Sequence, residues 1–479
     1  MLIISEVMKG RVTMRLFTVA MLGLVSVWGG VVQAGWQDGE FAVETNKTGG
    51  IIVRVNVDKI KDWSKVPGVK QCINVPLADG QTNQSHALMS NMRDIDGDGK
   101  MDIFSRILEM PFSQVVRFDT KGKEVWRSEK LEPGAGDESG MPLEDLDGDG
   151  KYELVLSQHA ALYCLDAATG KIKWMKELET GGKPGPGSWD YPMVVGHFVD
   201  KKKFAVAVRT GSKLYCFGPD GAELWVAPLT GYFGGHCMIR GDLDGDGLDD
   251  IASSRGAWNG GASTEAFGLN GKLLWRDSTQ RMHSDNMAIA DIDGDGKVEC
   301  IYDHSGCGGG GPLYVVDGKT GERKLTIDYK PRNYGHCQGF TVADFAPDVP
   351  GLEIAVTAKR GPLVMFNARG ETMWANKTPN TLCTKADWNG DGVQEVLVFA
   401  VGPNLDPSWS VLNGKGEILF GMSFLPSPLR SHAHMCAPGV GYDGFVDRDG
   451  NGRADILMAF GPWKTGAPQY LLRVEAPSK

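Results

Sequence analysis

From about residue 80 to residue 473 the chain repeats one alternation, in which a short apolar run rich in β-branched residues follows each acidic, glycine-rich loop. Glu153-Leu-Val-Leu, Asp250-Ile-Ala-Ser and the run from Pro312 to Asp317 are of this kind. They are too short for helices and are bounded by turn residues, so each predicts a strand. The loops start near residues 94, 145, 197, 242, 291, 344, 387 and 447. A period of about 50 residues means a propeller or a solenoid. The unit from 283 to 328 shows the plan, with strands predicted at 283–290, 299–303, 312–317 and 322–328. Eight such units predict an all-β fold, an eight-bladed β-propeller of four-stranded antiparallel blades with the acidic loop between the first and second strands.

The turn from third to fourth strand recurs as Asp166-Ala-Ala-Thr-Gly170-Lys, Asp317-Gly-Lys-Thr-Gly321-Glu and relatives. These suit a type I turn closed by a left-handed glycine. Trp126, Trp174, Trp225, Trp275 and Trp374 follow at one place on the fourth strand and are expected to pack blade against blade.

Six loops read D-x-D-G-D-G-x-x-[DE] or a near variant, and oxygens at positions 1, 3, 5 and 9 of such a loop wrap one hard cation. The candidate ligands are Asp94, Asp96, Asp98 and Asp102; Asp145, Asp147, Asp149 and Glu153; Asp242, Asp244, Asp246 and Asp250; Asp291, Asp293, Asp295 and Glu299; Asp387, Asn389, Asp391 and Glu395; and Asp447, Asp449, Asn451 and Asp455. An EF-hand would place its last ligand at position 12 and run into a helix; here a strand follows. About six structural Ca2+ ions are expected. The loops at Gly196–Phe204 and Asp344–Glu353 are not expected to hold a metal.

Lys9, Arg11 and Arg15 precede an apolar stretch from Leu16 to Trp28, and Val32-Gln-Ala34 has the small-residue pattern of a signal peptidase site. Residues 1–34 therefore read as a signal peptide, with Met14 opening a well-proportioned signal by itself, and the mature chain as secreted or periplasmic without stable membrane insertion. Removing Lys9, Arg11, Arg15 and Glu6 turns the net charge of −10 into −12. An acidic chain lacks the basic face a nucleic-acid partner requires. Residues 35–80 form an N-terminal segment in which Ile51–Val57 is expected to complete the final blade, and residues 81–479 form the propeller. Nine cysteines are an odd number, and Cys164 and Cys216, at matching places in neighbouring units, read as unpaired core residues.

These acidic loops between strands resemble the FG-GAP class of calcium-stabilised propeller repeat, and eight of them in an exported chain resemble the catalytic propeller of bacterial rhamnogalacturonan lyases. Asp145-Leu-Asp-Gly-Asp-Gly-Lys-Tyr-Glu153-Leu-Val-Leu is close to that family's pattern. Shorter uronate-cleaving propellers such as ulvan lyases are an equal comparison. The resemblance implies cleavage of a uronic-acid-containing polysaccharide by β-elimination.

Antiparallel order places the loops from strand two to three and from four to one on the face opposite the acidic loops. His86, His283 and His336 stand eight residues before their loops and His236 six before; His432 and His434 enter the last blade similarly, and His159 and His304 sit in two-to-three loops. The same face is expected to gather Arg209, Arg255, Trp258, Asn259, Lys359, Arg360, Tyr232 and Tyr334. Arginines clamp carboxylates in a bidentate fork and tryptophans stack on sugar rings. For an elimination, Arg255 and Arg360 would neutralise the uronate, a histidine among His236, His283 and His336 would take the C5 proton, and Tyr232 or Tyr334 would protonate the departing oxygen. His86, Arg209, Trp258, Asn259, His304, Lys359, His432 and His434 would bind the polymer. The turn-plus-tryptophan motif also resembles quinoprotein dehydrogenases, and a non-catalytic carbohydrate-binding or adhesion propeller would need the same aromatics and arginines.

Overall fold

The computed structural model describes most of residues 39–477; outside the described residues lie 1–38, 478–479 and segments that include 79–89, 132–139, 159–160, 181–191, 230–236, 257–261, 281–283, 304–311, 331–336, 359–360, 401–407, 426–444 and 461–468. Eight sheets follow one another along the chain, and apart from two single 3-10 turns the described elements are strands. In blade one Ser90–Arg93, Asp102–Glu109, Phe112–Phe118 and Glu124–Arg127 pair in order, all antiparallel. Blades two to six repeat that order. The first strands of blades three to seven pack successively on one another, which makes the array radial. The fold is an eight-bladed β-propeller of four-stranded antiparallel blades.

Side chains from adjacent blades fill the space between sheets. Trp126 donates its indole N–H to Ala167 O in the next blade's turn at 3.1 Å, and Trp174, Trp275 and Trp374 do the same to Pro219 O, Gly318 O and Gly414 O. The ring of each tryptophan lies against the turn glycine of the following blade. A Cβ at Gly170 would stand 2.5 Å from Trp126, so glycine is required there by close approach as well as by its φ of 72°. Blade five carries Leu325 in place of tryptophan, and Leu325 and Ile327 meet Gly370 instead. The expected blade-to-blade role of the tryptophans is thus met.

Ring closure differs from expectation. Ile51–Asn56 does not complete the final blade; it pairs in parallel with Ile418–Leu425, the outer strand of blade seven, and carries Phe41–Thr45 on its far side. The strand that joins the last blade is Val69–Val75, antiparallel to Gln469–Val474, which in turn pairs with Ile456–Phe460. Both N-terminal runs alternate buried and exposed positions, so either suits a free sheet edge. In the turn linking the runs, the ring of Trp63 packs on Phe424 of blade seven and Tyr470 of blade eight and so ties the two blades together. One hydrophobic cluster then unites Val53, Val69, Ile73, Ile103, Trp388 and Leu471, drawn from the N-terminal segment and blades one, seven and eight.

Candidate functional site

Each acidic loop is organised by its first aspartate. In blade one the N–H groups of Gly97 and Gly99 donate to Asp94 Oδ1 and Oδ2, both at 2.8 Å, and the loops at Asp145, Asp242, Asp291, Asp387 and Asp447 repeat the pair. The ninth residue opens the second strand and is buried. One of its oxygens accepts the N–H of position 2, as Glu153 does from Leu146, Glu299 from Ile292, Glu395 from Trp388 and Asp455 from Arg448. Carboxylate oxygens converge within 4.8 Å in five loops: Asp94, Asp96 and Asp98; Asp145, Asp147 and Glu153; Asp242, Asp244 and Asp246; Asp291, Asp293 and Asp295; Asp447, Asp449 and Asp455. Such clusters of hard oxygen donors can hold a metal ion.

The donor sets fit a metal unequally. Lys173 Nζ reaches Glu153 at 2.6 Å and Asp147 at 3.7 Å; Lys324 Nζ reaches Glu299 at 2.5 Å, Asp295 at 3.4 Å and Asp293 at 3.5 Å. Arg117 bridges Asp102 at 2.8 Å and Asp96 at 3.1 Å, and Arg473 bridges Asp455 at 2.6 Å and Asp449 at 2.5 Å. Those four loops therefore present carboxylates already paired with a cation. Among the described residues no lysine or arginine pairs with a candidate ligand carboxylate of the loops at Asp242 and Asp387; in the former, Arg240 pairs with Asp249 at 3.0 Å, and Lys201 and Lys319 reach the Asp246 and Asp244 carbonyls. Burial accordingly pushes Asp250 up to about 7 and Glu395 up to about 7. In Glu153 burial also raises the pKa, while Lys173 opposes it. The longer loop of blade six keeps the same fork: Glu353 Oε2 accepts from Phe345 and Ala346, and its buried Oε1 has no hydrogen-bond partner among the described residues.

Of the residues expected on the opposite face, His86, His159, His236, His283, His304, His336, His432 and His434 lie outside the described residues, as do Tyr232, Trp258, Asn259, Tyr334, Lys359 and Arg360. Arg255 is placed by its backbone, paired with Ser263 at the end of the second strand of blade four. Arg209 is buried. Its Nη1 donates to Ser253 Oγ at 2.8 Å and to Ser254 O at 2.5 Å, so the guanidinium joins blade three to blade four where a polymer-binding arginine was expected.

A buried polar chain continues from that contact. Ser254 Oγ accepts the N–H of Ser284 at 2.8 Å, Ser284 Oγ donates to Asp303 O, and Asp303 Oδ1 accepts the N–H of Asn286 at 3.0 Å. These residues neighbour Arg255, His283 and His304 in sequence and span three blades at the end opposite the acidic loops. Sequence reasoning missed this chain, because serine and asparagine in a strand carry no signal of burial. Among the described cysteines Cys72, Cys164, Cys216, Cys237, Cys300 and Cys383 there is no disulfide, which agrees with the reading of Cys164 and Cys216.

Comparison with known proteins agrees with the fold and stops short of a family. A profile described as "Outer membrane protein assembly factor BamB" matches residues 111–326, the stretch holding four of the five docked tryptophans. Integrin alpha pat-2 of Caenorhabditis elegans is 29% identical over 265 residues, covering 50% of this chain, and the same protein of Caenorhabditis briggsae matches equally. The chain spans only 18% of the length of these curated relatives. Among solved structures, the exotype rhamnogalacturonan lyase YesX is similar with a TM-score of 0.58 and 19% identity over 83% of this chain and 75% of that one. The Vibrio cholerae biofilm matrix protein Bap1 gives 0.51 and 14% over 86% and 88%. Both likenesses concern the fold. No helix among the described residues is long and apolar enough to cross a membrane.

Proposed function

We propose that this protein is an exported polysaccharide lyase that cleaves a uronic-acid-containing, rhamnogalacturonan-like polymer by β-elimination, on the face opposite its acidic loops. The observation that carries this reading is the buried polar chain from Arg209 through Ser254 and Ser284 to Asp303. Polar groups of this kind are costly inside a sheet core and rigidify whatever they adjoin. In sequence they stand next to Arg255, His283 and His304, the residue types an elimination needs for carboxylate binding and proton transfer. In the reaction Arg255 and Arg360 neutralise the uronate, one of His236, His283 and His336 removes the proton from C5, and Tyr232 or Tyr334 protonates the departing O4. The acidic loops have a structural role and hold calcium.

The new non-reducing end carries a conjugated C4–C5 double bond, so turnover is read directly in the ultraviolet. Absorbance should rise with rhamnogalacturonan or ulvan and stay flat with a neutral glycan. Substituting His236, His283 or His336 with Ala should lower turnover by about 10²-fold or more for whichever transfers the proton, at unchanged melting temperature. Retention of full activity by all three variants would move the chemistry off this face. Polymer binding without absorbance gain would favour a carbohydrate-binding or adhesion propeller, and quinone-dependent dye reduction would favour a dehydrogenase.

A further inference from the structure

The second position of the repeated loop is apolar in blades one, two, four, five, six and seven, where Ile95, Leu146, Leu243, Ile292, Phe345 and Trp388 stand. Blade eight has Arg448 there. The apolar residues belong to the joint with the following blade. Leu146 shares a buried cluster with Phe198 and Ala205 of blade three, Ile292 with Phe340 of blade six, and Trp388 with Ile456 of blade eight. Arg448 takes the corresponding place where blade eight meets blade one.

A second arginine acts on it there. Arg93 ends the first strand of blade one, lies over the Tyr152 ring at 4.6 Å, and pairs through Nη1 with Glu144 Oε2 at 3.3 Å. Burial and the charge of Arg93 push Arg448 down to about 10, against the pull of Glu144, Asp455 and Tyr152. Both of those carboxylates are already engaged, Glu144 by Arg93 and Asp455 by Arg473 at 2.6 Å. Asp455 takes only the backbone N–H of Arg448, at 3.0 Å. Among the described residues the Arg448 guanidinium makes no hydrogen bond and no ion pair, and its Nε is buried. An arginine that merely packed its stem on the joint would keep its head group wet. A guanidinium half withdrawn from water beside a like charge is costly unless an anion meets it. Two arginines against Glu144 leave one positive charge over, and Arg93 spends only Nη1 on that carboxylate among the described residues.

We propose that Arg448 and Arg93 form a binding site for an oxyanion, a carboxylate or a sulfate- or phosphate-type group, at the joint between blades eight and one. The planar fork of a guanidinium matches two oxygens of such a group. The site uses none of the residues named for the elimination and stands apart from the lyase reading.

Thermal melts of the full-length protein in sodium acetate and in sodium sulfate, each against sodium chloride at equal ionic strength, test the site. Sulfate also raises melting midpoints by exclusion from protein surfaces. The quantity read is therefore the rise beyond that of Arg448→Leu, which writes the residue of blades two and four. The unaltered chain should show an extra rise, as a bound ligand requires. A rise in acetate alone assigns a carboxylate, and one in sulfate alone a tetrahedral oxyanion. Glu144→Gln removes the competing carboxylate and should enlarge the rise, so two substitutions at one joint act in opposite directions. Calorimetric titration of the same anion should weaken by about tenfold or more in Arg93→Gln, which keeps the test open if Arg448→Leu folds poorly. Equal shifts in the unaltered chain and in Arg448→Leu, or no shift in either salt, would overturn the site.

Discussion

Trp275 and Arg209 show how single side chains hold neighbouring blades together. Trp275 buries its ring between blades four and five, stacks at 6.4 Å on Tyr302 and donates to Gly318 O. Trp275→Phe keeps most of the packing and loses the hydrogen bond, at a cost of about 1 kcal/mol. Trp275→Ala opens a cavity and should cost about 3–5 kcal/mol. Denaturant unfolding of the two variants separates these contributions. Arg209→Met should strand Ser254 O and lower stability by about 1–3 kcal/mol, measured the same way, with polymer affinity unchanged. An affinity loss at unchanged stability would return Arg209 to the binding face.

The element most legible in the sequence was the loop–strand unit. An aspartate followed at fixed spacing by two glycines can close only one kind of turn: Gly148 and Gly150 take φ of 78° and 85°, and Asp145 receives both of their N–H groups. The third-to-fourth turns were equally plain, because Gly170 and Gly321 are required by backbone geometry before any packing is considered. Strand partnership was less legible. Ile51–Asn56 and Val69–Val75 are both short apolar runs that suit a sheet edge, and only their pairing with Ile418–Leu425 and Gln469–Val474 assigns one to blade seven and the other to blade eight. The lysines and arginines inside the acidic loops were written in the sequence but not read, since they come from other strands and only the sheet register places them. The histidine face rests on antiparallel order, and its residues lie outside the described segments apart from Arg209 and the backbone of Arg255.

At the scale of the whole molecule the ring depends on a pairing between the two ends of the chain. Deleting residues through Asn56 removes the two added strands of blade seven and leaves four, so the protein should still unfold cooperatively at a lower temperature. Deleting through Val75 removes the partner of Gln469–Val474 and should abolish the cooperative transition. Thermal melts followed by tryptophan fluorescence would distinguish the two. Equal melting of both truncations would mean that the ring closes by other contacts.

That end-to-end pairing also sets an order in time. Val69–Val75 is synthesised before blade one, and its partner Gln469–Val474 only after blade seven. Blades one to seven can form in sequence from local hairpins, but Val69–Val75 must wait with an unpaired edge until Gln469–Val474 has been made. Contacts at such separation are slow to form, and a waiting edge is open to the wrong partner. A chain stalled anywhere before blade eight is therefore an open arc with two exposed flanks, and its completion is a late, single event that a protease or a chaperone can sense.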